Sequence, residues 1–286
     1  MMDDKDEFYI GWMPKASVSF VKNSRKVVLV IIIAAIIIAL LAAMEQKKFS
    51  TANFEFGKLT EVKGIYFNKP VACIKVINGK DIFGNLSYVT IPLVGFGKHG
   101  AEGVIEDIEK EKNISLNQRA ISLNGTLLYN DGKLLMQIDS NDKPVTAIGN
   151  CAAESLLAAA DNLGEQTIKG EIVDPKCYFG VMKPGQGKPH KDCAIRCISG
   201  GISPVLRVSN EKNETNYYLI VGANGEKMNE AVKDFVAQPV SIHAKAVKYG
   251  DWIVLYVDNN NGIQYYSYLQ EKFGSAVQYC VADCTK

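Results

Sequence analysis

An excess of charge of either sign is missing from this sequence: 32 Lys and Arg stand against 31 Asp and Glu, a formal net charge of +1. A nucleic-acid binder needs a basic surface to release counterions from phosphates, so this balance argues against that partner class. Also missing are the C-x-x-C-H run of covalently attached haem, the spacing of a Rieske centre, and the G-x-x-x-x-G-K-[ST] phosphate loop. The glycine-rich stretch around His99, GFGKHGAEG, does not meet that last pattern. Neither a Ser-His-Asp arrangement nor a carboxylate pair can be picked out by spacing. No catalytic residue is therefore assigned, and the balance of expectation is against an enzyme.

A long apolar run is present. Residues 27–44, VVLVIIIAAIIIALLAAM, carry no charge, and at about 1.5 Å per residue such a helix just spans the hydrocarbon core of a bilayer. A secretory signal has a shorter apolar region of about 7–15 residues and a small-x-small cleavage site, which LLAAMEQ does not offer. A retained transmembrane helix is expected. Lys22, Arg25 and Lys26 precede the run and Lys47 and Lys48 follow it. That small excess places residues 1–26 in the cytoplasm and the remainder in the periplasm, as a single-pass protein of a bacterial inner membrane. Seven cysteines suit an oxidising compartment.

Beyond the anchor the sequence reads as mainly β. LTEVKGIYF, PVACIKVI, LSYVTIPLVGF, RAISLNGTLLY and KLLMQID are short β-branched and aromatic runs bounded by Gly, Asn and Asp. Helical AEGVIEDIEKEKN falls between the third and fourth, and Asp131-Gly132 signals a hairpin turn. The second half repeats this order with IKGEIVD, SPVLRVS, YYLIVGA, helical EKMNEAVKDFVA and QPVSIHAKAVKYGDWIVLYVD. An internal duplication is expected: two tandem OB-like small β-barrels over residues 54–140 and 168–260. Residues 141–167 form a linker with a helix opened by Asn150, and residues 261–286 form a C-terminal helix and tail.

The copies differ at one junction. The first passes almost directly from strand to strand, whereas the second inserts residues 177–203, CYFGVMKPGQGKPHKDCAIRCISGGIS. A connection longer than about 12–15 residues is more often functional than not. Pro189 suits a helix start and Gly200-Gly201 a helix end. On a helix over 189–199, His190, Cys193 and Cys197 fall at i, i+3 and i+7, on one face. Residues four apart on a helix have Cβ atoms about 5–6 Å apart, against about 3.5–4.5 Å in a disulfide. A Cys193–Cys197 bridge therefore requires a broken helix, whereas a metal ion spans the gap. With Cys177 returned by the Pro-Gly turn, the candidate ligand set is Cys177, His190, Cys193 and Cys197. Zinc suits this set, and copper(I) does so with Met182 near. The competing reading is disulfides, Cys177 with Cys193 or Cys197, or either of the latter with Cys280 or Cys284 of the tail. Cys73 alternates within a strand and reads as core, Cys151 as the odd thiol, and His243 as a structural strand residue.

The loop resembles one found in poorly characterised bacterial membrane-anchored proteins. It is carried by Cys177, Tyr178, Gly180, Met182, Pro184, Gly185, Gly187, His190, Cys193, Ala194, Cys197, Ile198, Gly200 and Gly201. Some members of that group accompany Rieske-type or cytochrome components, which implies a respiratory or redox setting. The expected function is an accessory or assembly subunit of a bacterial redox membrane complex, with integral membrane subunits as partners. The alternative is a metal-binding (zinc or copper) or thiol-redox envelope protein acting through the loop.

Overall fold

The computed structural model describes residues 18–48, 52–80, 82, 84, 86–151, 160–210, 214–258 and 261–266. Two compact units divide the chain, residues 1–51 and 52–286. The first unit contains α1 (Val18–Lys48). Nothing breaks helical propensity ahead of the apolar run, so the helix begins before residue 27 and takes in Lys22, Arg25 and Lys26. Its stretch Phe20–Met44 is 25 residues long and none of it is buried against protein. At about 1.5 Å per residue that exceeds the ~30 Å hydrocarbon thickness of a bilayer. By length and composition this helix could cross a membrane.

The second unit is mainly β. It opens with β1 (Asn53–Phe54), β2 (Thr60–Phe67), β3 (Cys73–Lys80) and β4 (Leu86–Gly95), then α2 (Glu102–Lys112), β5 (Arg119–Asn130), β6 (Lys133–Ile138) and β7 (Val145–Cys151). The pairing runs β5-β2-β3-β4-β6, and β6 pairs back onto β5, closing a five-stranded barrel. Closure leaves no free edge among those strands. The β5–β6 hairpin turns at Asp131 (φ 47°) and Gly132 (φ 76°), the positive pair a type I′ turn requires. Ile74, Leu116, Leu123, Met136 and Ile138 fill the interior, and Ile105 of α2 packs into the same cluster. Asn113, in the left-handed conformation, ends α2.

The chain continues with β8 (Asp161–Val173), α3 (Lys191–Ser199), β9 (Val205–Ser209), β10 (Thr215–Gly222), β11 (Pro239–Tyr249), β12 (Trp252–Val257) and β13 (Ile263–Tyr265). Their pairing order is β12-β10-β9-β8-β11-β13, with an additional β11–β12 pairing.

Three expectations need correction. EKMNEAVKDFVA does not form a second long helix; it makes turns and one 3-10 turn, Lys233–Phe235. Met228, Val232 and Val236 still bury a helix-like stripe, but Val236 forms a bridge with Ile172 of β8 and so leaves the helix. Tertiary pairing outweighs local propensity there. The linker helix is replaced where it is described: residues up to Cys151 pair with β5 as β7, and Asp161–Gln166 lie in β8. The far half of β11 takes this stretch as its partner, from Ala244↔Gln166 to Lys248↔Asp161, and residues 152–159 lie outside the described residues. After Asp258, Ile263–Tyr265 form a strand on β11 rather than loop or helix. The expected terminal helix, with Cys280 and Cys284, lies outside the described residues.

A shared core joins the two sheets. Val71, Leu128 and Leu135 pack with Val173, Phe179, Val205, Leu219 and Trp252. The β11–β12 turn docks on β4: Thr90 N–H donates to Asp251 Oδ1 (2.8 Å) and Trp252 Nε1–H to the Thr90 carbonyl (3.0 Å). Asn130 Nδ2 donates to Tyr217 Oη (3.1 Å), whose hydroxyl donates to Asp131 Oδ2 (2.6 Å).

Two glycine-bearing segments approach each other closely. Gly100 N–H donates to the Gly200 carbonyl at 3.0 Å. A Cβ on Gly200 would lie 1.8 Å from the Lys98 carbonyl oxygen, and one on Gly100 2.4 Å from that of Gly201. Gly200 has φ −74°, so its backbone would accept alanine and only space forbids it. Gly200→Ala is expected to destabilise the second unit by about 1–3 kcal/mol, as overpacking does. Gly103→Ala on α2, where a Cβ meets nothing within 4 Å, should instead stabilise by up to about 1 kcal/mol. Denaturant unfolding of the two variants checks both signs.

Candidate metal centre

The insertion leaves β8 through Asp174-Pro175-Lys176-Cys177. Asp174 organises the turn: its Oδ1 accepts the Lys176 N–H (2.9 Å) and its carbonyl the Tyr178 N–H (3.0 Å). Residues Cys177–Val181 make a single π-helical turn. Phe179 pins that turn, its ring 5.0 Å from Tyr217 and 6.4 Å from Trp252. The chain then folds back on itself. A Cβ on Gly185 would lie 2.6 Å from Tyr178 Cα, and Gly187 N–H donates to Glu171 Oε1 at 2.6 Å. Glu171 pairs with Arg207 (3.7 Å), which donates from Nε to Tyr178 Oη (2.8 Å). Lys188–His190 form a 3-10 turn that feeds α3. At the far end Asn229 Nδ2 donates to the carbonyls of Ile198 (2.6 Å) and Ile202 (2.8 Å). Ile198 stands in the last turn of α3, whose carbonyls lack intrahelical partners, and Ile202 lies just beyond it.

These constraints bring all four sequence-predicted ligands around Cys177, as two sets. The donor atoms of Cys177, His190 and Cys193 lie within 4.8 Å of one another, and so do those of Asp174, Cys177 and Cys197. Zinc–sulfur bonds of about 2.3 Å put tetrahedral thiolates about 3.8 Å apart. A small contraction therefore closes either set on an ion. Val94 and Ile202 supply the apolar wall. Cys193 is partly exposed, whereas Cys177 and Cys197 are buried.

Each set contains a residue with a buried polar atom that makes no hydrogen bond: His190, at Nε2, in one and Asp174, at Oδ2, in the other. Leaving such a group without a partner costs about 1–3 kcal/mol, and a cation is the partner both atoms suit. His190 is 3% exposed. Burial lowers its pKa, as does nearby Lys98, against an opposing pull from Asp174, and so favours the neutral imidazole that ligates metal. The adjoining Cys197, then burial and Asp174, push the Cys177 thiol well above its ordinary range. A metal ion would reverse that balance, because a coordinating thiol is deprotonated outright.

The first barrel covers the cluster. Lys176 Nζ donates to the carbonyls of Gly95 and Gly97, each at 2.7 Å, and burial lowers its pKa. Lys98 Nζ stands 3.6 Å from Cys193 Sγ. Asp174, Lys98 and Lys176 were not among the sequence candidates. The nearest signal for Asp174 was its place three residues before Cys177, whereas nothing local tied GFGKHG to the insertion.

The remaining candidates fall elsewhere. Cys73 is buried in β3 and Cys151 exposed at the end of β7. Met182 is 46% exposed. His243 sits on β11 beside Thr167, Nδ1 to Oγ1 at 3.0 Å. Among the described residues no disulfide forms, and Cys73, Cys151, Cys177, Cys193 and Cys197 are free thiols. Cys193 and Cys197 share one unbroken helix. No protein-family model matches the chain, and no curated protein matches it.

Burial sets the order in which these thiols react. Alkylation of the native, metal-free, reduced protein should modify Cys151 and Cys193 first. Cys73, Cys177 and Cys197 should react only on unfolding. Peptide mass spectrometry reads each site, and early modification of Cys177 would contradict the packing around Phe179.

Proposed function

We propose that this is a membrane-anchored zinc-binding protein whose insertion holds the metal. The observation that carries this reading is the convergence of three thiols, an imidazole and a carboxylate on a mostly buried pocket centred on Cys177. The donor mixture favours zinc over copper(I), since a carboxylate beside thiolates and imidazole suits a borderline ion better than a soft one. The ion's work is structural, holding the insertion in place under the first barrel's loop and shielding its thiols from oxidation.

Both halves of the second unit are read as OB-like barrels from one duplication. The matching pairing orders support this, β5-β2-β3-β4-β6 beside β11-β8-β9-β10-β12, as do the parallel pairs β4–β6 and β10–β12. The placement of the barrels on the periplasmic side of a bacterial inner membrane draws its support from Lys22, Arg25 and Lys26 ahead of the span. An accessory role beside integral subunits of a redox complex is a second proposal. The anchor is compatible with it, and the metal centre neither requires nor opposes it.

Full-length protein in detergent, purified under reducing conditions, should retain zinc through gel filtration and lose it to a strong chelator. Zinc at about a thousandfold over its dissociation constant should stabilise the fold by about 4 kcal/mol, read as a rise in Tm. Protein that neither retains zinc nor shifts its melting on zinc addition would overturn the reading.

A further inference from the structure

We infer that the cluster is a two-ion centre bridged by the Cys177 thiolate, with an inner ion on Asp174, Cys177 and Cys197 and an outer ion on Cys177, His190 and Cys193. This rests on the zinc reading above and specifies its stoichiometry.

The geometry separates the donors into two sets of three that share only Cys177, and the five do not form one mutually close group. Donors on one tetrahedral zinc lie within about 4 Å of each other. With a small contraction one ion can therefore take either set, but it cannot gather all five donors. A thiolate sulfur has lone pairs enough for two ions, and Cys177 is the one residue common to both sets.

The polar atoms without hydrogen bonds divide in the same way. Asp174, whose Oδ2 makes no hydrogen bond, belongs to the inner set, and His190, whose Nε2 makes none, to the outer. Both side chains are at least nine-tenths buried, at 0% and 3% exposure. An ion in one set leaves the other set's polar atom without a partner, and two ions satisfy both.

The two positions differ in access. The inner ligands are all buried, whereas the outer set includes partly exposed Cys193 with Lys98 beside it. A three-residue set leaves zinc one further position, as catalytic and exchangeable sites do. Solvent reaches the outer set through partly exposed Cys193. The outer ion therefore exchanges faster than the inner one.

The test uses full-length, reduced protein in detergent, loaded with zinc alone and desalted. Metal per chain is measured by elemental mass spectrometry. The wild type should hold two zinc ions, one for each ligand set. His190→Gln and Cys193→Ser should each leave one ion, and Asp174→Asn or Cys197→Ser should likewise leave one. Cys177→Ser should lose both, and circular dichroism verifies that it folds. Should it fail to fold, His190→Gln combined with Asp174→Asn removes one ligand from each set and serves in its place. In the wild type, a limiting chelator should withdraw one ion quickly and the second slowly. A wild type with one zinc, weakened by changes in both sets, would overturn the bridged pair while leaving the zinc reading intact. A wild type with none would overturn both.

Discussion

The candidate centre depends on backbone meeting backbone at one seam. Gly100 and Gly200 touch with no side chain between them, and Lys176 ties its ammonium to the carbonyls of Gly95 and Gly97. Without that approach the loop of the first barrel could not lie over the insertion. Cys193 would lose Lys98 as a neighbour, and the thiols of Cys177 and Cys197 would open to solvent. The glycines act here through volume: at Gly200 the backbone angles are ordinary and the obstruction is the Lys98 carbonyl.

The physical character of the pocket follows from what the seam encloses. Thiols, a carboxylate and an imidazole would each be comfortable in water, and enclosing them trades hydration for a few internal contacts. Lys176 brings a positive charge into the same region, but it is already committed to carbonyl oxygens. The apolar core holds the arrangement in place, with Phe179 wedged between Tyr217 and Trp252 on one side and Val94 and Ile202 on the other. A rigid shell around under-satisfied donors is the usual construction of a ligand site, because strain and unmet polarity persist only where the surroundings over-determine them.

Much of this was legible in the sequence. Alternating runs and the Asp131-Gly132 turn marked the strands of the first barrel, and Gly200-Gly201 marked the end of α3, although the helix starts at Lys191 and leaves His190 in the 3-10 turn before it. What could not be read was whatever depends on distant pairing. The segment around Val232 carries a helical stripe yet yields to a bridge between Val236 and Ile172. Residues near Asp161 resemble a continuing helix in composition, but β11 draws them into the sheet. Asp174 has no periodic or motif signature, and only the fold reveals that it is buried beside Cys177 and Cys197. Lys98 reaches Cys193 across 95 residues of sequence, a distance at which spacing arguments carry no information.

That long reach also sets an order of events during synthesis. The ribosome releases the first barrel's loop well before Cys193 and Cys197, and contacts between distant parts of a chain form late. The thiols therefore emerge after the residues that cover them, and the pocket becomes complete only when the second sheet docks. An ion held there would act as a seal on a finished molecule, distinguishing a chain that has completed its assembly from one still waiting for its second half.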